Sequence, residues 1–370
     1  MKRSVYPKRV EAFREKLKTM SFDTAWIVQP ENRQYLSGFR AEDSQINESS
    51  GSLLINEEVC LLITDSRYTL QAQKEAPDFQ VYTLEKGLAE ELPKLAGGIG
   101  AKVLGFEEDY VTWGLHRQAA RGLKKLPDPV RLAPLKGAVE AMRVIKDAEE
   151  VRAIEASAGL MDEILAQIVE GLEPGLTEKE IAWQIEGLAR EKGADSLAFP
   201  SIVASGPNGA LPHAVPTERK IREGEPIVFD VGIRLNGYRS DMTRTVFLGT
   251  PGPKFRKIYR TVRKAQLAAM ETIQPGVKST LPDSVARDLI KEAGFGEYFG
   301  HALGHGVGLA THEQPRLAPR NPVELKEGMV VTVEPGIYIP RKGGVRLEET
   351  VVIEKGGPRI LTKEGHLYDF

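Results

Sequence analysis

The stretch IVFDVGIRLNGYRSDMTRTVF, residues 227–247, carries the strongest local folding signal in the chain. Asn-Gly at 236–237 is typical of a two-residue type I′ hairpin turn, and apolar strand sequence lies on both sides of it. A turn at these two residues predicts that Asp241 faces Gly232 and lies diagonal to Asp230 on the same face of the hairpin. The two aspartates are then close enough to act together, and Gly232 is expected to leave room beside them.

A second hairpin with the same character is predicted near the C-terminus. MVVTVEPGIYIP, residues 329–340, and GVRLEETVVI, residues 344–353, flank a turn, and they carry Glu334 and Glu348. Between the two hairpins, His305 lies in GHGVG, whose glycines allow backbone segments to approach closely. The sequence therefore offers a second pair of carboxylates and one imidazole.

Four carboxylates and one imidazole form a hard, oxygen-rich set of donors. Such a set suits two divalent cations held close together with water between them, which is the chemistry of a hydrolase. Each acid by itself could be a solvated surface residue, but Asp230 interrupts an apolar run, and burying a carboxylate without a partner is costly. The predicted metal ligands are Asp230, Asp241, His305, Glu334 and Glu348.

Other kinds of site find less support in the sequence. GHGVG lacks both the GxGxxG pattern and the lysine of a phosphate-binding loop, so nucleotide binding is not expected. A GxSxG nucleophile elbow is absent, and Cys60 lies in an apolar strand pattern, which argues against a covalent nucleophile. His116 and His366 have the character of surface or packing residues. The histidines that lie near the ligand-bearing segments, and for which supporting or proton-transfer roles are expected, are His213, His301 and His312.

Length and composition indicate a globular protein of more than one domain. The 370 residues exceed one ordinary core, and 41% hydrophobic with 28% charged residues is typical of a soluble protein. A net charge of −2 gives no indication of a nucleic-acid partner, and the apolar runs are too short for a membrane span. No apolar segment follows the basic N-terminus, so no secretory signal is expected, and a single cysteine fits a reducing cytoplasm.

The pattern along the chain predicts two domains of different class. Alternating strand and helix signals predict a smaller α/β domain over residues 1–130, and a proline-containing stretch indicates a linker over 131–145. Residues 146–370 read as helices, strands, helices and strands again. That order is typical of an α+β domain whose antiparallel sheet carries helices on one face. Two capping boxes, Asp147 with Glu150 and Thr177 with Glu180, predict the starts of its first two helices.

The chain resembles the pita-bread metallopeptidases, which include prolidase, aminopeptidase P and methionine aminopeptidase. The resemblance rests on the order of the five ligands and on the blocks SGPNGALPHAVP, DVGIRLNGYRSDMTRTVF, GHGVGLATHEQP and EPGIYIP. ENRQYLSGF and LLITDSRY resemble the creatinase/prolidase N-terminal domain, which separates Xaa-Pro peptidases from methionine aminopeptidase. Glu349 departs from the family, which often has Asp there. The resemblance implies a pita-bread catalytic domain preceded by a creatinase/prolidase-like domain.

The resemblance also implies roles for particular residues. Asp230 and Asp241 would bind one metal, and Asp241 would also reach the second; Glu334 would act as general base. The implied metal is manganese or cobalt, with zinc and iron as alternatives. The remaining implied roles are oxyanion stabilisation and substrate orientation by His213 and His312, a wall of the proline pocket from His301, support of a ligand carboxylate by Arg346, and a clamp for a substrate carboxylate from Arg316.

The implied activity is hydrolysis of the Xaa-Pro bond at the N-terminus of short peptides. An Xaa-Pro dipeptidase is favoured over an Xaa-Pro aminopeptidase that acts on longer peptides, because Arg316 could hold a free carboxylate next to proline. Two alternatives are a non-peptidase relative that serves as a binding module and a different two-metal hydrolase such as a phosphoesterase. The chain keeps all five ligands, unlike the first, and has fewer histidines than the second usually carries. A proline-containing peptide is the expected partner, and a homodimer is the expected assembly.

Overall fold

The computed structural model describes residues 5–43, 45, 48–363 and 365–368. The chain divides into two compact units, and the boundary falls between Arg143 and Val144. The elements of the first unit, in chain order, are α1 (Tyr6–Thr19), β1 (Thr24–Ile27), α2 (Pro30–Ser37), β2 (Ser52–Asn56), β3 (Cys60–Thr64), α3 (Thr69–Glu75), β4 (Gln80–Thr83), α4 (Leu88–Gly98), β5 (Val103–Phe106), α5 (Trp113–Lys124), β6 (Arg131–Pro134) and α6 (Glu140–Arg143).

A six-stranded mixed sheet in the order β4-β3-β2-β1-β5-β6 forms the centre of the first unit. The central strands are short apolar runs such as TAWI and SLLIN, and Trp26 and Leu54 are fully buried in them. Strands that are buried on both faces are expected to be apolar throughout rather than alternating. Strands β2 and β3 form an antiparallel hairpin, and the alternation of strands and helices agrees with the α/β class predicted for this unit.

The predicted linker over 131–145 requires a correction. Residues 131–134 form β6, which pairs in parallel with β5, and residues 140–143 form α6, so residues 131–143 belong to the first unit. Proline is compatible with an edge strand, because an edge leaves some backbone N–H groups unpaired. Pro134 ends β6 at the open edge of the sheet rather than preventing the strand from forming.

The second unit contains two helix pairs and a set of antiparallel strands. Its elements are α7 (Ala148–Glu170), α8 (Glu178–Glu191), β7 (Ser196–Leu197), β8 (Ile202–Ser205), β9 (Pro226–Val231), β10 (Ile233–Leu235), β11 (Tyr238–Arg239), β12 (Met242–Phe247), α9 (Pro253–Glu271), α10 (Thr280–Glu292), β13 (Gly304–Gly306), β14 (Glu313–Leu317), β15 (Val330–Val333), β16 (Gly336–Ile339), β17 (Gly343–Arg346), β18 (Glu349–Glu354) and β19 (Gly357–Ile360).

Two long hairpins carry the four predicted carboxylate ligands, and each follows a helix pair. The first ribbon consists of β9 and β10 paired with β11 and β12, and the second ribbon consists of β15 and β16 paired with β17 and β18. Helices α7 and α8 pack against the strands of the first ribbon, and α9 and α10 pack against those of the second. This repeated arrangement accounts for the two ligand-bearing hairpins in the sequence.

The starts of α7 and α8 match the predicted capping boxes. Asp147 accepts hydrogen bonds from the backbone N–H groups of Glu149 and Glu150, and the Glu150 side chain accepts one from the Asp147 N–H. Thr177 and Glu180 make the same reciprocal pair at α8. Both boxes satisfy backbone donors that have no partner within the helix.

Candidate metal centre

The first ribbon has the register predicted from its Asn-Gly turn. Asp230, in β9, pairs with Thr243 in β12, and Asp241 immediately precedes β12, where the ribbon is interrupted. The expected role of Gly232 needs correction. A Cβ atom at Gly232 would overlap the carbonyl oxygen of Ser240, so the glycine allows two backbones to approach and does not make room for a ligand.

The second ribbon is interrupted in the same way where its glutamates lie. Glu334 falls between β15 and β16, and Glu348 falls between β17 and β18. The pairing on either side of the interruption keeps one register, which places the two glutamates opposite each other. The ribbons join directly, because the Glu348 N–H donates to the Thr243 carbonyl oxygen at 3.0 Å and Thr350 Oγ1 donates to the Asp241 carbonyl oxygen at 2.7 Å.

His305 lies in the short strand β13, between two glycines that are needed for close packing. A Cβ atom at Gly304 would overlap the Thr332 carbonyl oxygen, and one at Gly306 would overlap that of Gln314. His305 Nδ1 lies 3.0 Å from the Gly306 carbonyl oxygen, which can only accept, so Nδ1 carries the proton. Nε2 can bind a cation through its lone pair once its hydrogen bond to Glu334 is given up, and the hydrogen bond at Nδ1 sets the orientation of the ring.

The structure brings these side chains into one cluster. Ligand atoms of Asp241, His305 and Glu348 all lie within 4.8 Å of one another. His305 Nε2 is 3.3 Å from Glu334 Oε1 and 3.7 Å from Asp241 Oδ2. Asp230 borders the cluster, where Arg346 Nη2 donates to its Oδ2 at 2.6 Å. The ion pair expected between Arg346 and a ligand carboxylate is therefore present in the structure.

Burial and mutual repulsion set the ionisation of the cluster. Burial, with added repulsion from neighbouring carboxylates, raises the pKa of Asp241 and Glu348 well above their usual range. Burial also raises the pKa of Asp230, against the opposing charge of Arg346. Burial acts to raise the pKa of Glu334, but its hydrogen bond and attraction to His305 outweigh burial and lower it. Burial acts to lower the pKa of His305, but Glu334 outweighs it and raises that pKa.

The donor set fits divalent cations. Asp241, Glu348 and Glu334 surround His305 Nε2, and Asp230 lies close enough to repel Asp241 and Glu348. Burial together with this repulsion keeps Asp241 and Glu348 protonated more readily than isolated carboxylates. Divalent cations would supply the missing positive charge and favour the ionised carboxylates. Thr243 Oγ1 donates to Glu348 Oε2 at 2.8 Å, which leaves the other carboxylate oxygen available to a cation.

His301 is held by hydrogen bonds at both ring nitrogens. Nδ1 lies 2.8 Å from the Ala302 carbonyl oxygen, and Nε2 lies 2.9 Å from the Tyr338 hydroxyl. Burial lowers the pKa of His301, so the ring is neutral, Nδ1 donates and Nε2 accepts from Tyr338. Arg346 Nη1 donates to the same hydroxyl at 2.7 Å. His301 is thus a fixed ring that is connected to Asp230 through Tyr338 and Arg346. Such a ring is better suited to form the wall of a pocket than to carry a proton.

The remaining predicted residues, His312, Arg316 and His213, have exposed side chains. The His312 ring stacks edge-on to His305 with a centroid distance of 4.3 Å, and burial lowers the pKa of His312. Arg316, in β14, pairs in register with His305 in β13, so their side chains project from the same face. His213 is exposed, and its charge influences the pKa of both His312 and Asp230. All three side chains are therefore accessible from solvent.

Several supporting residues were not singled out from the sequence. Tyr338 connects Arg346 and His301, and Thr243 holds Glu348. Buried Arg244 donates to the Glu348 carbonyl oxygen and pairs with Glu349 at 3.0 Å. Alternation offered a signal for two of them, because Thr243 is two residues beyond Asp241 and Tyr338 is four residues beyond Glu334. Even spacing in a ribbon that keeps its register puts each pair on one face. Pairing between Arg244 and Glu349 joins two distant segments, so local sequence does not reveal it.

Comparison with known proteins identifies the family. Residues 152–355 match metallopeptidase family M24, and residues 9–145 match the creatinase/prolidase N-terminal domain. The chain belongs to metallopeptidase family M24. It is 37% identical to an Xaa-Pro dipeptidase of Pyrococcus horikoshii over 93% of both chains. Family membership confirms the prediction of a metallopeptidase.

Solved structures confirm the predicted fold class. An Xaa-Pro dipeptidase from Bacillus anthracis superposes with a TM-score of 0.89 at 35% identity, covering 97% of this chain and 98% of that one. An X-Pro aminopeptidase from Thermotoga maritima gives 0.84 at 37% identity, covering 94% and 97%. This metallopeptidase therefore has an α+β pita-bread catalytic domain and a smaller creatinase/prolidase-like N-terminal domain. Among its described residues, no helix has the length and apolar character to cross a membrane.

Proposed function

We propose that this metallopeptidase hydrolyses the Xaa-Pro bond at the N-terminus of short peptides, using two divalent metal ions. The observation that carries the proposal is the convergence of Asp241, Glu348 and Glu334 on His305 Nε2, with Asp230 beside them, in a chain that belongs to a metallopeptidase family. The ions would be held by Asp230, Asp241, His305, Glu334 and Glu348. When bound, they would polarise the substrate carbonyl and lower the pKa of a water molecule that serves as nucleophile.

The chain's own residues supply proton transfer and orientation. Glu334 is the general base, since its carboxylate lies 3.3 Å from His305 Nε2 at the border of the cluster and accepts from Thr332 Oγ1 at 3.3 Å. His312 and His213 orient the substrate and donate hydrogen bonds to the carbonyl oxygen as negative charge develops on it. His312 is well placed for this task, because its ring packs against the His305 ring.

The preference for proline is ascribed to a rigid apolar pocket wall. Proline lacks an amide hydrogen and its ring fixes the backbone, so a site that accepts it must fit the ring and needs no acceptor for that hydrogen. Both nitrogens of His301 are engaged, and its ring packs edge-on to Phe299 with centroids 5.0 Å apart. His301 therefore presents carbon atoms rather than a free donor, which supports its role as one wall of the pocket.

The choice between dipeptidase and aminopeptidase rests on Arg316. A dipeptidase must hold the free carboxylate that follows proline, whereas an aminopeptidase must leave that side open. Arg316 is exposed and projects from the same face as His305, so it can reach a carboxylate next to the scissile bond, ideally in bidentate geometry. We therefore favour an Xaa-Pro dipeptidase, while the likeness to an X-Pro aminopeptidase keeps the second activity as the alternative.

Substrate length tests this choice. The measurement is kcat/KM for an Xaa-Pro dipeptide and for the same sequence extended by two residues, in the wild-type protein and in Arg316→Ala. A dipeptidase cleaves the dipeptide faster, and Arg316→Ala removes most of that preference by raising KM. Faster cleavage of the longer peptide that is unaffected by Arg316→Ala would establish the aminopeptidase instead.

Metal identity, compartment and assembly complete the proposal. Oxygen-rich ligands favour manganese, with cobalt or zinc as alternatives. The single cysteine of the sequence supports a cytoplasmic location, and the partner is a proline-containing peptide, with neither nucleic acid nor membrane required. A homodimer is expected from the family resemblance. Elemental analysis of the purified protein and light scattering after size-exclusion chromatography measure the metal and the assembly.

A further inference from the structure

The segment that carries His213 has no regular structure beyond a short 3₁₀ turn. This segment, residues 206–217, is called here the His213 loop; it follows β8 and contains the turn Gly206–Ala210. Its central residues are exposed: Leu211 by 59% and Val215 by 76%. A loop of this length with exposed apolar side chains requires anchors if it is to present one histidine in a defined place.

A buried carboxylate outside the candidate metal centre provides those anchors. Glu178, the first residue of α8, has 0% exposure. Its Oε1 accepts from the Ser205 N–H at 2.7 Å and the Ser205 hydroxyl at 2.8 Å. Its Oε2 accepts from Asn208 Nδ2 at 2.9 Å, the Thr217 N–H at 3.0 Å and the Thr217 hydroxyl at 2.7 Å. One side chain therefore holds both ends of the His213 loop.

The contacts between Glu178 and the His213 loop are costly to break. An ionised carboxylate is costly to bury, and five donors together with the positive end of the α8 dipole offset that cost. Removal of the carboxylate would leave several inward-facing donors at the two ends of the loop without an acceptor. The native loop geometry consequently depends on Glu178 far more than a surface loop depends on an exposed ion pair.

Contacts in the middle of the loop connect it to the candidate metal centre. The Pro212 carbonyl oxygen accepts from Arg346 Nη1 at 3.2 Å, and the same guanidinium holds Asp230. Ala214 is buried against β8 and β9, with 4% exposure. His213 lies between these two anchored residues. With Glu178 holding the ends and Arg346 the middle, the position available to the His213 ring is restricted.

We propose that Glu178 is a positioning residue that fixes the His213 loop and thereby places His213 against the substrate. The inference rests on the proposed function, because it requires His213 to contact the substrate. Glu178 itself contacts neither the substrate nor the metal ligands. Its loss shifts His213, and a misplacement of about 1 Å costs up to about 10²-fold in rate.

A double-mutant cycle on kcat/KM tests the proposal with an Xaa-Pro dipeptide as substrate. Glu178→Gln is expected to lower kcat/KM by about 10- to 100-fold with metal content unchanged. In a His213→Ala background the same substitution should have little further effect, within about twofold, because Glu178 acts through His213. Full additivity of the two losses would overturn the proposal.

Glu180→Gln is the matched control. Glu180 lies in the same first helical turn, but its side chain accepts only from Thr177 among the described residues, so the substitution weakens the helix cap without touching the loop. It should lower the melting temperature and leave kcat/KM unchanged. A loss of kcat/KM equal to that of Glu178→Gln would mean that general weakening of α8 explains both, and would overturn the proposal.

Amide hydrogen exchange provides a readout that does not depend on activity. Glu178→Gln should speed exchange within residues 206–217 by about tenfold or more while α7 stays protected, since the loop then opens locally. Unchanged exchange in the loop would reject the positioning role, even if the protein hydrolyses Xaa-Pro peptides. Absence of Xaa-Pro hydrolysis by wild type would instead reject the proposed function. If Glu178→Gln does not fold, Thr217→Val, which removes one donor to Glu178, replaces it in both measurements with the same expected signs.

Discussion

Two arginines near the candidate metal centre, Arg346 and Arg244, each pair with a carboxylate. Arg346 compensates Asp230 directly, at 2.6 Å, whereas Arg244 and Glu349 form a buried pair one residue away from the predicted ligand Glu348. A buried pair contributes little net stability as a whole, but removal of one partner leaves the other charged and desolvated. The Arg244–Glu349 pair is therefore expected to matter for the position of Glu348 and for folding.

Glu349→Ala tests this expectation. The substitution removes the buried carboxylate that pairs with Arg244, and we expect it to lower the free energy of unfolding by about 3–5 kcal/mol. Chemical denaturation of the metal-free protein measures the change. Glu354→Ala, on the same strand, removes the half-exposed partner of Arg359 and should cost no more than about 1 kcal/mol. Equal costs for the two variants would contradict the assignment.

His312 is the residue whose predicted role can be separated most cleanly from metal binding. His312→Ala should retain both metal ions and lower kcat by about 10²–10³-fold, the usual effect of losing one oxyanion donor. Metal content is measured by elemental analysis and kcat by steady-state kinetics. His116→Ala, a substitution in the first unit, is the control and should leave kcat unchanged. Wild-type kcat in His312→Ala would reject the role of His312.

The candidate site could be located from the sequence because strand alternation is a strict rule. The turn at residues 236–237 sets the register of the first ribbon, so the faces of Asp230 and Asp241 follow from counting. Contacts made by Tyr338 and Arg244 join segments distant in sequence, and alternation alone cannot show which partners meet. The role expected of Gly232 was wrong for a related reason, because the crowding comes from the backbone of the opposite strand.

At the scale of elements, capping chemistry was the most reliable signal. Both predicted capping boxes are present, because a cap depends only on residues within one helical turn. Strand β6 and helix α6 lie in the stretch predicted to be a linker, so neither was predicted as an element. Each is short, and β6 contains a proline at its end, so its strand structure depends on pairing with β5 rather than on local preference.

Asp147→Ala tests the energetic value of the cap on α7. Two backbone N–H groups lose their acceptor, and we expect a loss of about 0.5–2 kcal/mol in the free energy of unfolding. The activity of the folded protein should not change, since α7 carries none of the proposed site residues. Arg152→Ala, on the exposed side of the same helix, is the control and should stay within about 0.5 kcal/mol of wild type. A cap variant as stable as this control would contradict the account.

At the scale of the whole molecule, the chain forms two compact units, and the second unit contains two similar ribbons. The α/β class of the first unit could be predicted from its alternating strands and helices. The predicted end of this unit was too early, because residues 131–143 form its last strand and its last helix. In the second unit, both ribbons are interrupted where carboxylates occur, so the two ribbons together bring four acids to one place. The fold thus concentrates negative charge that folding alone does not neutralise, and divalent cations are the natural complement.

The most direct test of this account is a titration of metal-free protein with Mn²⁺, with hydrolysis of an Xaa-Pro dipeptide measured at each step. Free proline released per chain is followed against equivalents of metal added. We predict no turnover without metal and a rate that rises until two ions are bound per chain. Full turnover by protein shown to be metal-free by elemental analysis would contradict the proposal that hydrolysis requires two divalent ions.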